Sequence, residues 1–349
     1  MTSDGSKLRT LKATVATFAL LTGANAFAVD FATRCADSHV VRCVDFDSPA
    51  VIAGGYGSNS GSFPGDSIPQ IDATIKASGA GSLKFTIPSL SSADSSGSYF
   101  TNFSNDLSVR FGGNADFFVQ WRQRFSPEML NVVFAGGGGW KQAIIGTGDE
   151  QGKTFVASCT ALETVTQNTF TRGYPQMYNS CTGSTSHGAY DPFNPSYGAY
   201  DFKMQNARPA PFCLYSQGNT NPPTNFPPVG NCFGYFANEW MTFQVEIKTG
   251  PRVNDEFQGS YIRLWVARAG QPSELVIDFG PYNLVAGPPA ENQSYGKVWL
   301  LPYNTGKNNA TSYPVAYTWY DELIISTARI ADPDASGVAP NPPTNVSAQ

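Results

Sequence analysis

Apolar and polar residues alternate at strand period along most of this chain, and few stretches carry a helical period. In Asp116-Phe-Phe-Val-Gln-Trp-Arg-Gln-Arg-Phe125, Phe117, Val119, Trp121 and Phe125 share one face, with Phe118, Gln120, Arg122 and Arg124 on the other. The same reading predicts strands over 40–47, 82–87, 141–146, 154–158, 241–248 and 261–266. Glu274-Leu-Val-Ile-Asp278 is expected to return against 261–266, turning at Gly270-Gln-Pro272. Two further arms, Tyr295–Tyr303 and Tyr317–Thr327, flank the turn-like Asn304–Thr311 and read as paired strands. On the first arm Lys297, Trp299, Leu301 and Tyr303 point one way, and Val298 and Leu300 the other.

So many strands without credible helices predict an all-β chain: a two-sheet antiparallel sandwich or jelly roll forming one domain over 29–331. Residues 160–235 interrupt the alternation. They are rich in Gly, Pro, Asn, Ser and Tyr, contain Cys181, Cys213 and Cys232 with Cys159 at their edge, and read as a long loop insertion stapled by disulfides. Residues 332–349 are Pro-rich and polar, a linker or tail. At the other end, Lys7, Arg9 and Lys12 precede an apolar run, and Ala26-Phe-Ala28 supplies small residues for cleavage. Residues 1–28 therefore read as a secretory signal, which places the protein outside the cell or in a periplasm. Thr14, Thr17, Thr22 and Asn25 dilute the run below the about 20 apolar residues a membrane span needs.

Composition adds 34 Gly, 25 Pro and 13% aromatics, with only 14% charged residues where about 25% is usual. A net charge of -5 argues against nucleic-acid binding, and no membrane partner is expected; a monomer is. Cys35, Cys43, Cys159, Cys181, Cys213 and Cys232 suit an oxidising compartment, and nearest-neighbour pairing is the expectation. A metal site built on these cysteines is disfavoured by the absence of any Cys-x-x-Cys spacing and by a total of two histidines.

A strand face bearing Lys297, Trp299 and Tyr303 suits a sugar, because aromatic rings stack on pyranose faces and a lysine pairs with acidic groups. The order Trp121-Arg-Gln-Arg-Phe125, Trp140-Lys-Gln142, Glu239-Trp-Met-Thr-Phe243, Tyr261-Ile-Arg-Leu-Trp265 and Tyr320-Asp-Glu-Leu-Ile-Ile-Ser326 resembles concanavalin A-like jelly rolls. Within these it is most like polysaccharide lyases of the alginate and glucuronan lyase type. The resemblance spans most of residues 40–330. It implies a secreted lyase that cleaves a uronic-acid polymer by β-elimination. Of the family's strand signatures, Arg124-Phe-Ser-Pro-Glu128 is a remote counterpart of one, and Gln142-Ala-Ile144 lacks the histidine of the other.

Such a reaction needs a group that neutralises the sugar carboxylate, a base for the neighbouring C–H and an acid for the leaving oxygen. Arg122 and Gln142 are candidates for the first task, with Gln120 and Arg124 beside them, because Arg pairs with a carboxylate through two parallel hydrogen bonds. His187 in the insertion and Tyr303 are candidates for moving the proton. Lys141, Tyr178, Arg263, Trp265, Lys297 and Trp299 extend the expected sugar surface. No cofactor is called for. Asp45 and Asp47, with Asp321 on the last strand, can hold a structural Ca²⁺ if those strands are neighbours. A non-catalytic carbohydrate-binding or adhesion protein on the same fold is the alternative. Hydrolysis is disfavoured, since the acids do not form the Glu-x-Asp-x-x-Glu strand of jelly-roll glucanases.

Overall fold

The computed structural model describes residues 29–55, 58–63, 67–131, 139–152, 160, 162–168, 173–179 and 233–333. A short helix α1 (Phe31–Cys35) opens the described chain. Strands β1 (Val40–Val44), β2 (Ser60–Gly61), β3 (Gln70–Asp72), β4 (Ser82–Ile87), β5 (Tyr99–Asn102) and β6 (Asp116–Phe125) follow, then helix α2 (Pro127–Asn131). Next come β7 (Trp140–Thr147), β8 (Glu163–Asn168), β9 (Gln176–Asn179), β10 (Trp240–Lys248) and β11 (Arg252–Val253). The last four are β12 (Glu256–Ala267), β13 (Glu274–Val285), β14 (Tyr295–Leu300) and β15 (Ala316–Ser326).

These strands form two antiparallel sheets. The larger runs β11-β12-β10-β6-β15-β4-β3, with β13 on β12 and β1 on β15. The smaller runs β2-β5-β14-β7-β8-β9. The expected all-β jelly-roll sandwich is what the chain forms, and β12 and β13 pair as the expected hairpin, with Gly270 at φ +71° in its turn.

Between the sheets, Phe117, Val119, Trp121 and Phe125 of β6 meet Trp140, Ile145, Tyr295, Val298 and Leu300 of the smaller sheet in one core. Phe118 joins a separate cluster on the outside with Trp265, Ile324 and Ile330, so the alternation in β6 assigns its faces correctly. A polar network also crosses the interior. Gln142 Nε2 donates to Gln123 Oε1 at 3.0 Å, Tyr235 Oη donates to Gln142 Oε1 at 2.6 Å, and Gln123 Nε2 donates to Thr318 Oγ1 at 3.0 Å. The side-chain amides of Gln123 and Gln142 are thereby paired with protein groups between the sheets.

One expected pairing is replaced. The arms of the expected hairpin near the C-terminus lie in different sheets: β14 pairs with β5 and β7, and β15 with β1, β4 and β6. The polar stretch between them crosses from one sheet to the other, and such a stretch serves a hairpin or a crossing equally well. The insertion is also not wholly loop, because β8 and β9 within it extend the smaller sheet. Their inward Thr164 and Thr166 hid the alternation.

The Cys35–Cys43 disulfide forms as expected, closing eight residues at the N-terminal clamp. Asp30 caps α1 by accepting from Thr33 N at 2.7 Å. Arg34 is buried against β6 and β15, donating to Gln120 Oε1 at 2.5 Å and to the Glu322 carboxylate. Residues 1–28, the strand expected at 154–158, the other four cysteines, His187 and the tail beyond 333 lie outside the described residues. Among the described residues no helix is long and apolar enough to cross a membrane.

Candidate functional site

Cross-strand register builds the outer face of the smaller sheet row by row. One row runs Asn102, Lys297, Gly146 and Glu163, from β5 to β8. The next runs Phe100, Trp299, Ile144, Val165 and Tyr178, from β5 to β9. These apolar and aromatic residues form their own cluster, on which Phe63 packs, 4.6 Å from the Phe100 ring and 5.6 Å from that of Trp299. A third row places Lys141 opposite Gln167. Here β7 slips register against β8 between Lys141 and Ala143, which accommodates an extra residue. Lys141 faces outward as a result, while Gln142 turns into the inter-sheet network.

The two lysines of this face differ. Lys297 is fully buried and donates to the Asp149 carboxylate, which also accepts from Asn102 Nδ2 at 3.3 Å. Burial lowers the Lys297 pKa and Asp149 opposes that, so its charge is already matched. Lys141 is half-buried and has no carboxylate within ion-pair distance among the described residues. Its ammonium lies 5.3 Å from the Tyr303 ring and 6.0 Å from the Tyr178 ring. Burial lowers its pKa, and Glu163 opposes this. Glu163 itself is raised from 4.5 to about 7 by burial, against the pull of Lys141 and the Thr160 N–H. Among the described residues its Oε1 has no hydrogen-bond partner, and neither has the buried Nε1 of Trp299.

The sequence-predicted residues divide between two faces. Lys141, Tyr178, Lys297, Trp299 and the half-buried Tyr303 come together here. Gln120, Arg122, Arg124, Arg263 and Trp265 lie on the outer face of the larger sheet, with the sandwich core between the two groups. There Gln120 takes Arg34 and donates to Ala331 O at 3.2 Å, and Arg122 Nη1 lies 3.7 Å from Glu322 Oε1. Arg263 is held by Glu246 at 2.9 Å and Asp278 at 2.7 Å, and Arg329 sits 4.8 Å over the Trp265 ring. Alternation fixes which residues share a face but not which sheet the strand joins, so the candidates for the sugar surface lie on two faces. Gln142 reaches neither face.

Strands β1 and β15 are indeed neighbours, through Val44 and Leu323. The nearby carboxylates bind backbone. Asp47 Oδ1 accepts from Ala80 N and Gly81 N at 2.5 and 2.9 Å, Asp321 Oδ2 accepts from Ala77 N at 2.8 Å, and Asp45 Oδ1 accepts from Asp47 N at 3.2 Å. Among the described residues no group of three His, Cys, Asp or Glu side chains is placed to hold a metal ion.

Sequence reasoning missed Asn102, Asp149, Phe100 and Glu163 as members of this face. Glu163-Thr-Val-Thr-Gln-Asn168 does alternate, but its inward residues are threonines and asparagine, so hydrophobic periodicity is silent there.

No protein-family model matches the chain. No curated protein matches it by sequence. Among solved structures it is similar to a marine alginate lyase of Aplysia kurodai, at 12% identity over 74% of this chain and 87% of that one, with a TM-score of 0.43. It is also similar to an endo-β-1,4-glucuronan lyase of the fungus Trichoderma reesei, at 11% identity over 85% of this chain and 100% of that one, again with a TM-score of 0.43. A third is the binding domain of botulinum neurotoxin serotype D, at 10% identity over 85% of this chain and 49% of that one, with a TM-score of 0.41. Two of the three are named as lyases and one as a binding domain.

Proposed function

We propose that this is a secreted polysaccharide lyase that cleaves a uronic-acid polymer at the Lys141, Tyr178 and Tyr303 end of the smaller sheet. The observation that carries the reading is the Lys141 ammonium, unmatched by any carboxylate in ion-pair contact among the described residues and set between two phenol rings. A sugar carboxylate bound there gains a charge-assisted partner, and its neutralisation acidifies the adjacent C5–H. Tyr303, reacting as its phenolate beside the Lys141 ammonium, takes that proton and becomes a phenol. The C–H electron pair forms the C4–C5 double bond, the C4–O bond breaks, and the leaving oxygen takes up a proton from a phenol, either Tyr303 itself or Tyr178. Arg122 and Gln142 have no part in this scheme, and Lys297 with Asp149 supports the face as a neutral buried pair. Trp299 and Phe100 underlie the neighbouring sugar positions.

The test is the absorbance of unsaturated product on a panel of alginate, glucuronan, pectate and glycosaminoglycans. Lys141→Ala and Tyr303→Phe are each expected to cut the rate at least about 100-fold. An active Tyr303→Phe protein removes the proton-transfer role.

A second reading, non-catalytic binding of a polysaccharide, is favoured by one specific feature. The middle of the face is an apolar and aromatic row of Phe100, Trp299, Ile144, Val165 and Tyr178, with no histidine in it. Polymer retention without any product supports that reading.

A further inference from the structure

The outer face of the larger sheet, on the opposite side of the sandwich, carries a row the scheme above leaves unused. Paired positions place Gln70, Lys84, Trp319, Arg124 and Trp240 side by side on β3, β4, β15, β6 and β10. At about 4.8 Å per strand, Lys84 to Trp240 spans about 14 Å. Along β15 the strip continues outward through Tyr317, whose ring is 5.9 Å from that of Trp319, to Val315, which is 41% exposed. Trp240 and Tyr317 are half-buried, and Trp319 forms the floor between them.

The charges on this strip are unbalanced. Lys84 lies 4.7 Å over the Tyr317 ring and 5.8 Å over that of Trp319. Its nearest acid, Asp72, at 3.7 Å, also accepts from Trp319 Nε1 at 3.0 Å and from Thr74 N and Ile75 N at 2.9 and 3.1 Å. That fixes the indole and leaves Asp72 largely spent. Glu239, beside Trp240, is held by Arg268 in a two-fold bond at 2.8 Å. Arg124 has no carboxylate partner among the described residues. Among the described residues its guanidinium bonds from Nη2 to Asn238 Oδ1 at 3.5 Å, and its buried Nε has no partner. A half-buried guanidinium without an anion, set in a row of rings and a second cation, is complementary to an anionic ligand with flat apolar faces.

We propose that this strip is a second binding site for an acidic polysaccharide, with Tyr317 and Trp240 stacking on sugar rings and Lys84 and Arg124 holding their acidic groups. It holds polymer independently of the other face and requires no elimination there.

The experiment is retention on immobilised alginate, polyglucuronate and heparin, with an uncharged glucan gel beside them and a thermal melt for every variant. The Lys141→Ala protein is expected to stay bound to an acidic gel, and Tyr317→Ala in that background to weaken half-saturation about tenfold. Lys84→Gln removes the ammonium that lies over the Tyr317 and Trp319 rings while keeping a side chain of similar length, and it is expected to weaken retention in the same direction if Tyr317→Ala does not fold. Undiminished retention in both variants overturns the proposal, as does equal retention on the uncharged glucan. Product formation by the intact protein, with no retention of the Lys141→Ala protein on any acidic gel, leaves the elimination reading standing and removes this one.

Discussion

Gln142 is, by sequence, a candidate to neutralise the sugar carboxylate, yet one extra residue in β7 turns it inward. There it bonds Gln123 and Tyr235 between the sheets. Gln142→Ala leaves the Tyr235 hydroxyl and Gln123 without that partner, and is expected to lower unfolding free energy in urea by about 1–3 kcal/mol. Glu163 gives a second prediction at this scale. Its pKa in the folded protein, about 7, exceeds the ordinary 4.5, so the folded state holds a proton that the unfolded chain releases. Its contribution is fully present below pH 4.5 and is lost as pH rises through 7. Urea midpoints should therefore fall over that interval in the intact protein and fall less in Glu163→Gln. Equal slopes in the two proteins contradict a burial of Glu163 that outweighs Lys141 and the Thr160 N–H. Neither role was legible in the sequence, because a bulge and a polar-faced strand leave no hydrophobic signature.

At the scale of elements, the faces of β6 and β14 followed directly from alternation, whereas their sheet membership did not. Val298 and Leu300 point into the core and Lys297 and Trp299 out, as the pattern requires, but only the partners β5 and β7 decide which outside that is. Where β14 begins, it approaches the end of β7 through glycines. A Cβ on Gly148 would lie 2.6 Å from Gly296 Cα, and one on Gly296 would lie 2.9 Å from Gly148 Cα. Gly148→Ala is expected to cost about 1–3 kcal/mol, as overpacking does, read from the same urea curves. The N-terminal clamp is another element-scale device. Cys35–Cys43 holds α1 on β1 while Arg34 reaches Gln120 and Glu322, so Cys35→Ser with Cys43→Ser is expected to lose about 2–3 kcal/mol. An unchanged melting curve after reduction would show that packing alone seats the clamp.

Across the whole molecule, a sandwich keeps two sets of cations and aromatic rings apart. One set is Lys141 with Tyr178 and Tyr303 on the smaller sheet; the other is Lys84 and Arg124 with Tyr317 and Trp240 on the larger. The all-β class and the core residues could be read from strand period because burial imposes that period on each strand separately. The division of candidate site residues could not, because it depends on pairing between strands far apart in sequence. The central claim is the proposal that a uronic-acid chain is cleaved at Lys141, which has no carboxylate in ion-pair contact among the described residues. The most direct measurement is the rate of unsaturated-product formation by the intact protein and by Lys141→Ala on alginate, glucuronan, pectate and glycosaminoglycans, with both proteins shown to melt alike. The account predicts product from one of these polymers and a rate at least about 100-fold lower in the variant. No product from any polymer, or equal rates in the two proteins, would contradict it.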